Sequence, residues 1–142
     1  MQFIPKNLNY KQRILNQLEK QNFMHLINFD LDKIDAGITE GKLEIQPIHF
    51  QQDGFLHGGV VASLADIVAG FAACSLVAEN QNVVTGEIKI SYFAKGRGTR
   101  LRAIGRVLKA GRRIMFCEAE IFNLGPEEEV LIAKASTSMI VL

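Results

Sequence analysis

The stretch Leu56-His57-Gly58-Gly59-Val60-Val61-Ala62-Ser63-Leu64-Ala65-Asp66 holds the residues best suited to chemistry. Two glycines open a long apolar helix pattern. A helix start carries backbone N–H groups without intrahelical partners, and these can hold an oxyanion or an anionic ligand. Asp66 is a lone carboxylate two turns inside that helix, which is costly unless the group is satisfied or used. Together these features mark a candidate active site. His57 could be catalytic, but a histidine at a helix start more often bonds backbone groups there and shapes the loop. Ser63 lies one turn from Asp66 on the same face. A serine nucleophile needs a base within hydrogen-bond reach, and the sequence places none, so Ser63 reads as helix packing. His25 and His49 read as ordinary surface or sheet histidines.

Wound at 100° per residue, one face of this helix collects Gly59, Ala62, Ser63, Asp66, Ala69, Gly70, Ala73 and Cys74. The opposite face collects Val60, Val61, Leu64, Ile67, Val68 and Phe71. The bulky face is expected to pack into a sheet. The small face carries the only charge and admits another backbone or a thin ligand. Simple tight packing, with Asp66 bonded to a neighbouring hydroxyl, is the plain alternative. Gly58 and Asp66 stand about 12 Å apart along the axis. One chain's Asp66 therefore cannot act on a carbon whose oxygen its own helix start holds. If both serve one site, the site is composite. A two-fold homodimer with antiparallel central helices would bring one chain's Gly58 to the other's Asp66, giving two equivalent sites.

The chain has 142 residues, which is the size of one domain, and a net charge of +1, which makes no global case for nucleic acid. Cys74 and Cys117 sit in separate apolar stretches, outside any CxxC or histidine cluster, so no metal site is expected. They read as buried thiols of a reducing compartment, hence cytoplasmic, with a disulfide as the minor alternative. The segment Gly58 to Ala78 is long enough to cross a bilayer, with Asp66 as its only charge. An Asp at mid-membrane is unfavourable by about 2.5–3.5 kcal/mol, so no membrane insertion is expected.

Those site residues need elements to position them. Asn9 to Phe23 carries Ile14, Leu15, Leu18 and Phe23 among polar residues and reads as a short amphipathic surface helix. Residues 1–24 are taken as an N-terminal helical segment and 25–142 as the core of a single domain. His25 to Ile48 reads as one or two strands with a turn, and Phe50 to Phe55 as a loop. The long helix is expected over Gly58 to Glu79. Strands are expected at 83–94, 100–109, 113–123 and 130–142, as consecutive antiparallel neighbours. A helix this apolar must be wrapped by a curved sheet or buried on a partner. The architecture is α+β with one central helix and an extra N-terminal helix.

At these residues the chain resembles the hotdog-fold thioesterases, in particular the phenylacetyl-CoA thioesterase-like branch. The likeness is carried by His57-Gly58-Gly59 with Leu64-Ala65-Asp66, by Val84-Thr85-Gly86-Glu87-Ile88-Lys89-Ile90-Ser91-Tyr92, and by Gly111-Arg112. It implies a curved antiparallel sheet around one helix, dimers with a continuous sheet, and dimers of dimers. It implies hydrolysis of acyl-CoA thioesters without metal or organic cofactor, coenzyme A entering only as part of the substrate. Carried over by position, Asp66 is the general base or nucleophile, and the Gly58 N–H polarises the thioester carbonyl, helped by the positive helix end. Gly59 and Ser63 line the substrate path. Gln51 takes the place of an Asn that touches the carbonyl or the attacking water in related enzymes. Thr85 matches a position that orients water near the carboxylate, although its strand parity groups it with the solvated Glu87 and Lys89.

Lys95, Arg97, Arg100, Arg102, Lys109, Arg112 and Arg113 give the C-terminal half a basic bias. A solvated sheet edge is one reading. The other is a landing site for the phosphates of coenzyme A, with Arg112 and Arg113 favoured. Glu127-Glu128-Glu129 reads as a solvated acidic turn. The main functional rival is a non-catalytic acyl-CoA-binding or sensor module, kept open by Gln51. A hydratase is the second rival, but the Asp/Asn-Pro-His loop of those enzymes has no counterpart in the sequence.

Overall fold

The computed structural model describes residues 2–142. Its elements run α1 (Tyr10–Leu18), α2 (Asn22–Ile27), β1 (Phe29–Asp35), β2 (Ile38–Glu44), a 3-10 turn (Pro47–His49), α3 (Gly58–Cys74), β3 (Val83–Tyr92), β4 (Arg100–Ala110), β5 (Ile114–Leu124) and β6 (Glu129–Val141). The six strands form one sheet in the order β1-β2-β4-β5-β6-β3, every pair antiparallel. The central helix α3 touches all six strands. Strands spaced about 4.8 Å apart make a flat sheet far wider than a helix about 10 Å across. Contact with every strand therefore requires the sheet to curl around α3.

The helix seat is built from small residues. Val61, Leu64, Ala65, Val68, Ala69 and Ala72 are buried. At Gly105 on β4, an added Cβ would collide with the Val68 carbonyl group and the Ala69 nitrogen. Beside it on β2, the buried Thr39 hydroxyl donates to the Val68 carbonyl at 2.6 Å. The backbone of α3 thus rests directly on the sheet at one glycine. The expected split into a bulky buried face and a small open face is therefore corrected. Val60 and Ile67 are only half-buried, while Ala65, Ala69 and Ala73 are fully buried. Close approach to the sheet selects small side chains on the inner side.

α3 ends at Cys74, short of the expected Glu79. The Ser75 hydroxyl donates to the Ala72 carbonyl at 2.6 Å and accepts from the Gly37 N–H at 2.7 Å. That bond ties the helix end to the β1–β2 turn. Leu76 and Val77 then enter the core as irregular chain, so the apolar run outlasts the helix. Among the described residues no helix is long and apolar enough to cross a membrane.

β3 also departs from the expected order. It pairs with β6 rather than with β4. The link between β3 and β4 is not a hairpin. The N–H groups of Phe93 and Ala94 donate to the Ile132 carbonyl, and the Arg97 N–H donates to Asn123 Oδ1. The chain thus crosses the ends of β6 and β5 before entering β4. This leaves β3 as a free edge, with Val84 47%, Ile88 38% and Tyr92 50% exposed.

The N-terminal region forms two helices instead of one, and the second runs past residue 24 to Ile27. Ile14 is buried on α1, whereas Leu15 is exposed; Met24 and Ile27 are buried on α2. The break lets each helix turn its own apolar side inward. Asn28, with φ +56°, closes α2 in the left-handed region that Asn tolerates. Arg13 fastens α1 to the segment between α3 and β3. Its guanidinium donates to the Ala78 and Gln81 carbonyls and to Asn82 Oδ1.

Candidate active site

The exposed stripe of α3 carries two separate clusters. The first lies at the helix start. His57 is the N-cap, and its Nδ1 accepts from the Gly59 N–H at 2.8 Å. This fixes the tautomer with the proton on Nε2 and occupies one of the free donors of the first turn. The Gly59 N–H is therefore already taken. The Gly58 N–H has no hydrogen-bond partner among the described residues. It remains at the positive end of a 17-residue helix.

One side chain ties the residue that carries that donor in place. The Tyr92 hydroxyl donates to the Gly58 carbonyl at 2.7 Å, tying the end of β3 to the helix start. Burial pushes the Tyr92 phenol above its ordinary value, so it stays a donor at neutral and mildly alkaline pH. Sequence reading passed over Tyr92. The only sequence sign was its place in the Ile88/Ile90/Tyr92 alternation, which marks an inward-facing residue. Gln51 lies in the loop beside the helix start, where Phe50 bridges to Leu56. Its amide oxygen accepts from the Asp53 N–H.

The second cluster surrounds Asp66. Thr85 Oγ1 donates to Asp66 Oδ1 at 2.6 Å. The parity problem is solved by a β-bulge between Thr85 and Glu87. Thr85 pairs with Met139, and Ile88 with Thr137, so both face inward, while Glu87 and Lys89 pair with Ser138 and Ser136 on the outer side. The bulge at Gly86 shifts the alternation by one and turns Thr85 toward the helix. Asp66, Thr85 and Ser63 line one open cleft of about 620 Å³. Ser63 itself donates back to the Gly59 carbonyl at 2.7 Å, as helix packing requires.

Other expected residues lie elsewhere. Arg112 and Arg113 are exposed in the β4–β5 turn and are not among the residues lining the Asp66 cleft. Arg102 and Arg106 are engaged on the outer sheet surface, with Glu40 and Glu129 and with Glu120 respectively. Glu129 is thus paired rather than merely solvated. Lys95 stacks over the Phe55 ring at 4.7 Å. His25 is exposed on α2. His49 is corrected from a surface or sheet residue to a core one: it is fully buried, Nδ1 accepting from the Gln46 N–H and Nε2 donating to the Ile27 carbonyl at 2.6 Å. Cys74 and Cys117 are buried free thiols, and burial pushes Cys117 up to about 11. Among the described residues no cluster of His, Cys, Asp and Glu is arranged to hold a metal ion.

Among the described residues, one chain therefore holds an unpaired backbone N–H and a hydroxyl-held carboxylate on the same helix, more than two turns apart. Comparisons with known proteins bear on this arrangement. The sequence is 24% identical over 134 residues to the medium/long-chain acyl-CoA thioesterase YigI of Escherichia coli, covering 84% of each chain. A thioesterase family protein from Silicibacter pomeroyi superimposes with a TM-score of 0.91 at 28% identity, covering 94% of this chain and 98% of that one. The Escherichia coli PaaI protein of the phenylacetic acid degradation operon shares the fold, with a TM-score of 0.85 at 18% identity over 96% of each chain. The sequence pattern of the thioesterase superfamily matches residues 53–130, which include both clusters. The fold is the hotdog fold, and the chain belongs to the thioesterase superfamily, whose chemistry is thioester hydrolysis.

Proposed function

We propose that this protein hydrolyses acyl-CoA thioesters to a free acid and coenzyme A, at a site shared between two copies of the chain. The observation that carries this reading is the pair of half-sites on α3. The Gly58 N–H is unpaired, and Asp66 has Oδ1 held by Thr85. About 12 Å of helix separates them, too far for one substrate carbonyl to meet both within one chain. The free edge of β3, with its exposed Val84, Ile88 and Tyr92, supports a two-fold pairing that extends the sheet. The other edge, β1, carries Asp30, Asp32, Lys33 and Asp35 and a register shift, which discourage pairing.

In the proposed mechanism the Gly58 N–H of one protomer donates to the thioester carbonyl oxygen as charge develops on it. Asp66 of its partner takes a proton from water, which adds to the carbonyl carbon. The carbon–sulfur bond breaks, and the proton passes from Asp66 to the leaving thiolate. Direct attack by Asp66, through a mixed anhydride that water then opens, uses the same geometry. Thr85 orients the carboxylate, and His57 shapes the first turn. Gln51 is the residue proposed to steady the carbonyl through its side-chain amide. The medium/long-chain acyl-CoA substrates named for the Escherichia coli relative support an acyl-CoA substrate here. Arg112 and Arg113 are the cations proposed for the coenzyme A phosphates, and no metal or organic cofactor enters the scheme. Two buried free thiols support a reducing, cytoplasmic setting. The rival reading, acyl-CoA binding without turnover, rests on Gln51, whose amide oxygen is turned to the Asp53 N–H.

The test uses two single variants and their mixture. Asp66→Asn removes the charge. Gly58→Pro replaces the N–H by a ring carbon, at the first helical position, where proline is tolerated and where His57 already has the extended backbone that a following proline prefers. Each alone is expected to lower thiol release from acyl-CoAs by at least about 10²-fold. Mixed and allowed to exchange subunits, they recover about a quarter of wild-type activity, because half the dimers then hold one intact site of two. Failure of the mixture to recover, with dimers exchanging, would place both groups in one chain's site and overturn the shared arrangement. Tight binding of acyl-CoAs with no turnover by the wild type would favour the sensor.

A further inference from the structure

Three segments of the chain meet at one buried residue behind the start of α3. His49 closes the 3-10 turn Pro47–His49 and is fully buried. Its Nδ1 accepts from the Gln46 N–H at 2.9 Å. A ring nitrogen that accepts carries no proton, so the proton sits on Nε2, which donates to the Ile27 carbonyl at 2.6 Å. The main-chain carbonyl of His49 accepts from the His57 N–H at 2.9 Å. The ring thus joins the end of α2 to the turn, and the backbone of the same residue joins the turn to the N-cap of α3.

The His57 amide is the one immediately before the Gly58 N–H, which has no partner among the described residues. On the far side the Gly58 carbonyl accepts from the Tyr92 hydroxyl. Two bonds therefore bracket the free N–H and set where it points. The upstream bond is only as firm as the His49 carbonyl, and that carbonyl is held through the ring. Satisfying the Gln46 N–H and the Ile27 carbonyl explains why a polar side chain is buried at this place. Packing does not require that the same residue also hold the amide next to the donor. Resting on the reading of the Gly58 N–H as the donor to the thioester oxygen, we propose that His49 is a positioning residue for that donor. Its two ring bonds fix the carbonyl that holds the His57 N–H, and so aim the next N–H along the chain. His49 itself is sealed from the substrate. Misplacing a group by about 1 Å can cost about 10²-fold in rate, so loosening His49 acts on the chemical step rather than on binding.

The experiment uses two replacements. His49→Asn keeps an amide oxygen that can accept from the Gln46 N–H and loses the bond to Ile27. His49→Leu loses both ring bonds at similar volume. With hexanoyl-CoA as substrate, kcat per folded dimer is expected to fall about twofold to fivefold in His49→Asn. In His49→Leu it falls about tenfold to a hundredfold, with KM little moved in either. The second readout is the carbonyl stretching band of hexanoyl-CoA bound to Asp66→Asn protein, in which hydrolysis is slowed. Donation from the Gly58 N–H holds that band at low frequency. Adding His49→Leu is expected to raise and broaden it, and adding His49→Asn to do so in part. Adding Gly58→Pro instead shows the band with the donor removed. An unchanged kcat and an unmoved band in both His49 variants, with only stability lowered, would overturn the proposal and leave His49 a core histidine. A change confined to KM would overturn it as well. If His49→Leu does not fold, the two readouts in His49→Asn decide. If Gly58→Pro itself leaves the band unmoved, the fault lies in the reading of Gly58 as the donor, and the role of His49 falls with it.

Discussion

The two sides of α3 are built to opposite requirements. On the sheet side everything is complete within one chain: Leu64, Ala65 and Val68 are fully buried, Thr39 satisfies the Val68 carbonyl, and Gly105 admits the helix backbone. On the open side nearly every feature is left over. Among the described residues the Gly58 N–H is unpaired, Asp66 is held by a threonine alone, Ile67 is half-buried, and Gly70 faces empty space. A helix with mean character this apolar would not leave such a stripe open for stability alone. The sheet side explains why the domain folds, and the open side explains what the fold is available to do. Even the glycines divide this way, since the one on the sheet is required by contact and the one in the cleft is not.

That contrast can be broken from either side. The largest effect is expected at the sheet. Gly105→Ala forces a Cβ into the backbone of α3, which cannot yield as a flexible side chain would. The expected loss of stability is about 3 kcal/mol, read by chemical denaturation. A loss below about 1 kcal/mol would mean that α3 is not seated rigidly. On the open side the same measurement is expected to move little while activity falls. Thr85→Val keeps the side-chain shape and removes the hydrogen bond to Asp66, and kcat is expected to fall about tenfold, corresponding to about 1.4 kcal/mol. Full activity in that variant would show that Asp66 needs no orientation by Thr85. The smallest effect belongs to Tyr92→Phe, which frees the Gly58 carbonyl at the helix start. A fall of about twofold to fivefold in kcat with KM unmoved is expected for a residue that positions the donor without touching substrate. A change confined to KM would instead place the Tyr92 hydroxyl against the substrate.

Much of this was legible along the chain. The apolar helix pattern with one internal carboxylate identified the central element and its candidate site, because helical spacing and the cost of an unused charge are local matters. The later strands were legible within a residue or two from their turn residues and alternation. Thr85 was the instructive difficulty. Its residue type suggested a contact with Asp66, and simple alternation argued against it. A bulge at Gly86 reversed the alternation, and the sequence shows a bulge only as one more glycine in a strand. His49 was misread because burial follows from what packs around a residue. Here those partners are the Gln46 and Ile27 backbone groups.

By itself, then, the sequence determined the helix that carries the candidate site, the carboxylate within it, the glycines at its start and the antiparallel character of the strands. These are set by periodicity and by the conformational limits of each residue type. Only the tertiary structure decided that β3 lies beside β6 at a free edge, that Thr85 turns inward, that Tyr92 holds the helix start, and that Gly70 faces an open cleft beneath the N-terminal helices. Each of these depends on which distant segments come together. Crossovers, bulges and packing against remote helices are fixed by long-range contacts, which leave no period in the sequence.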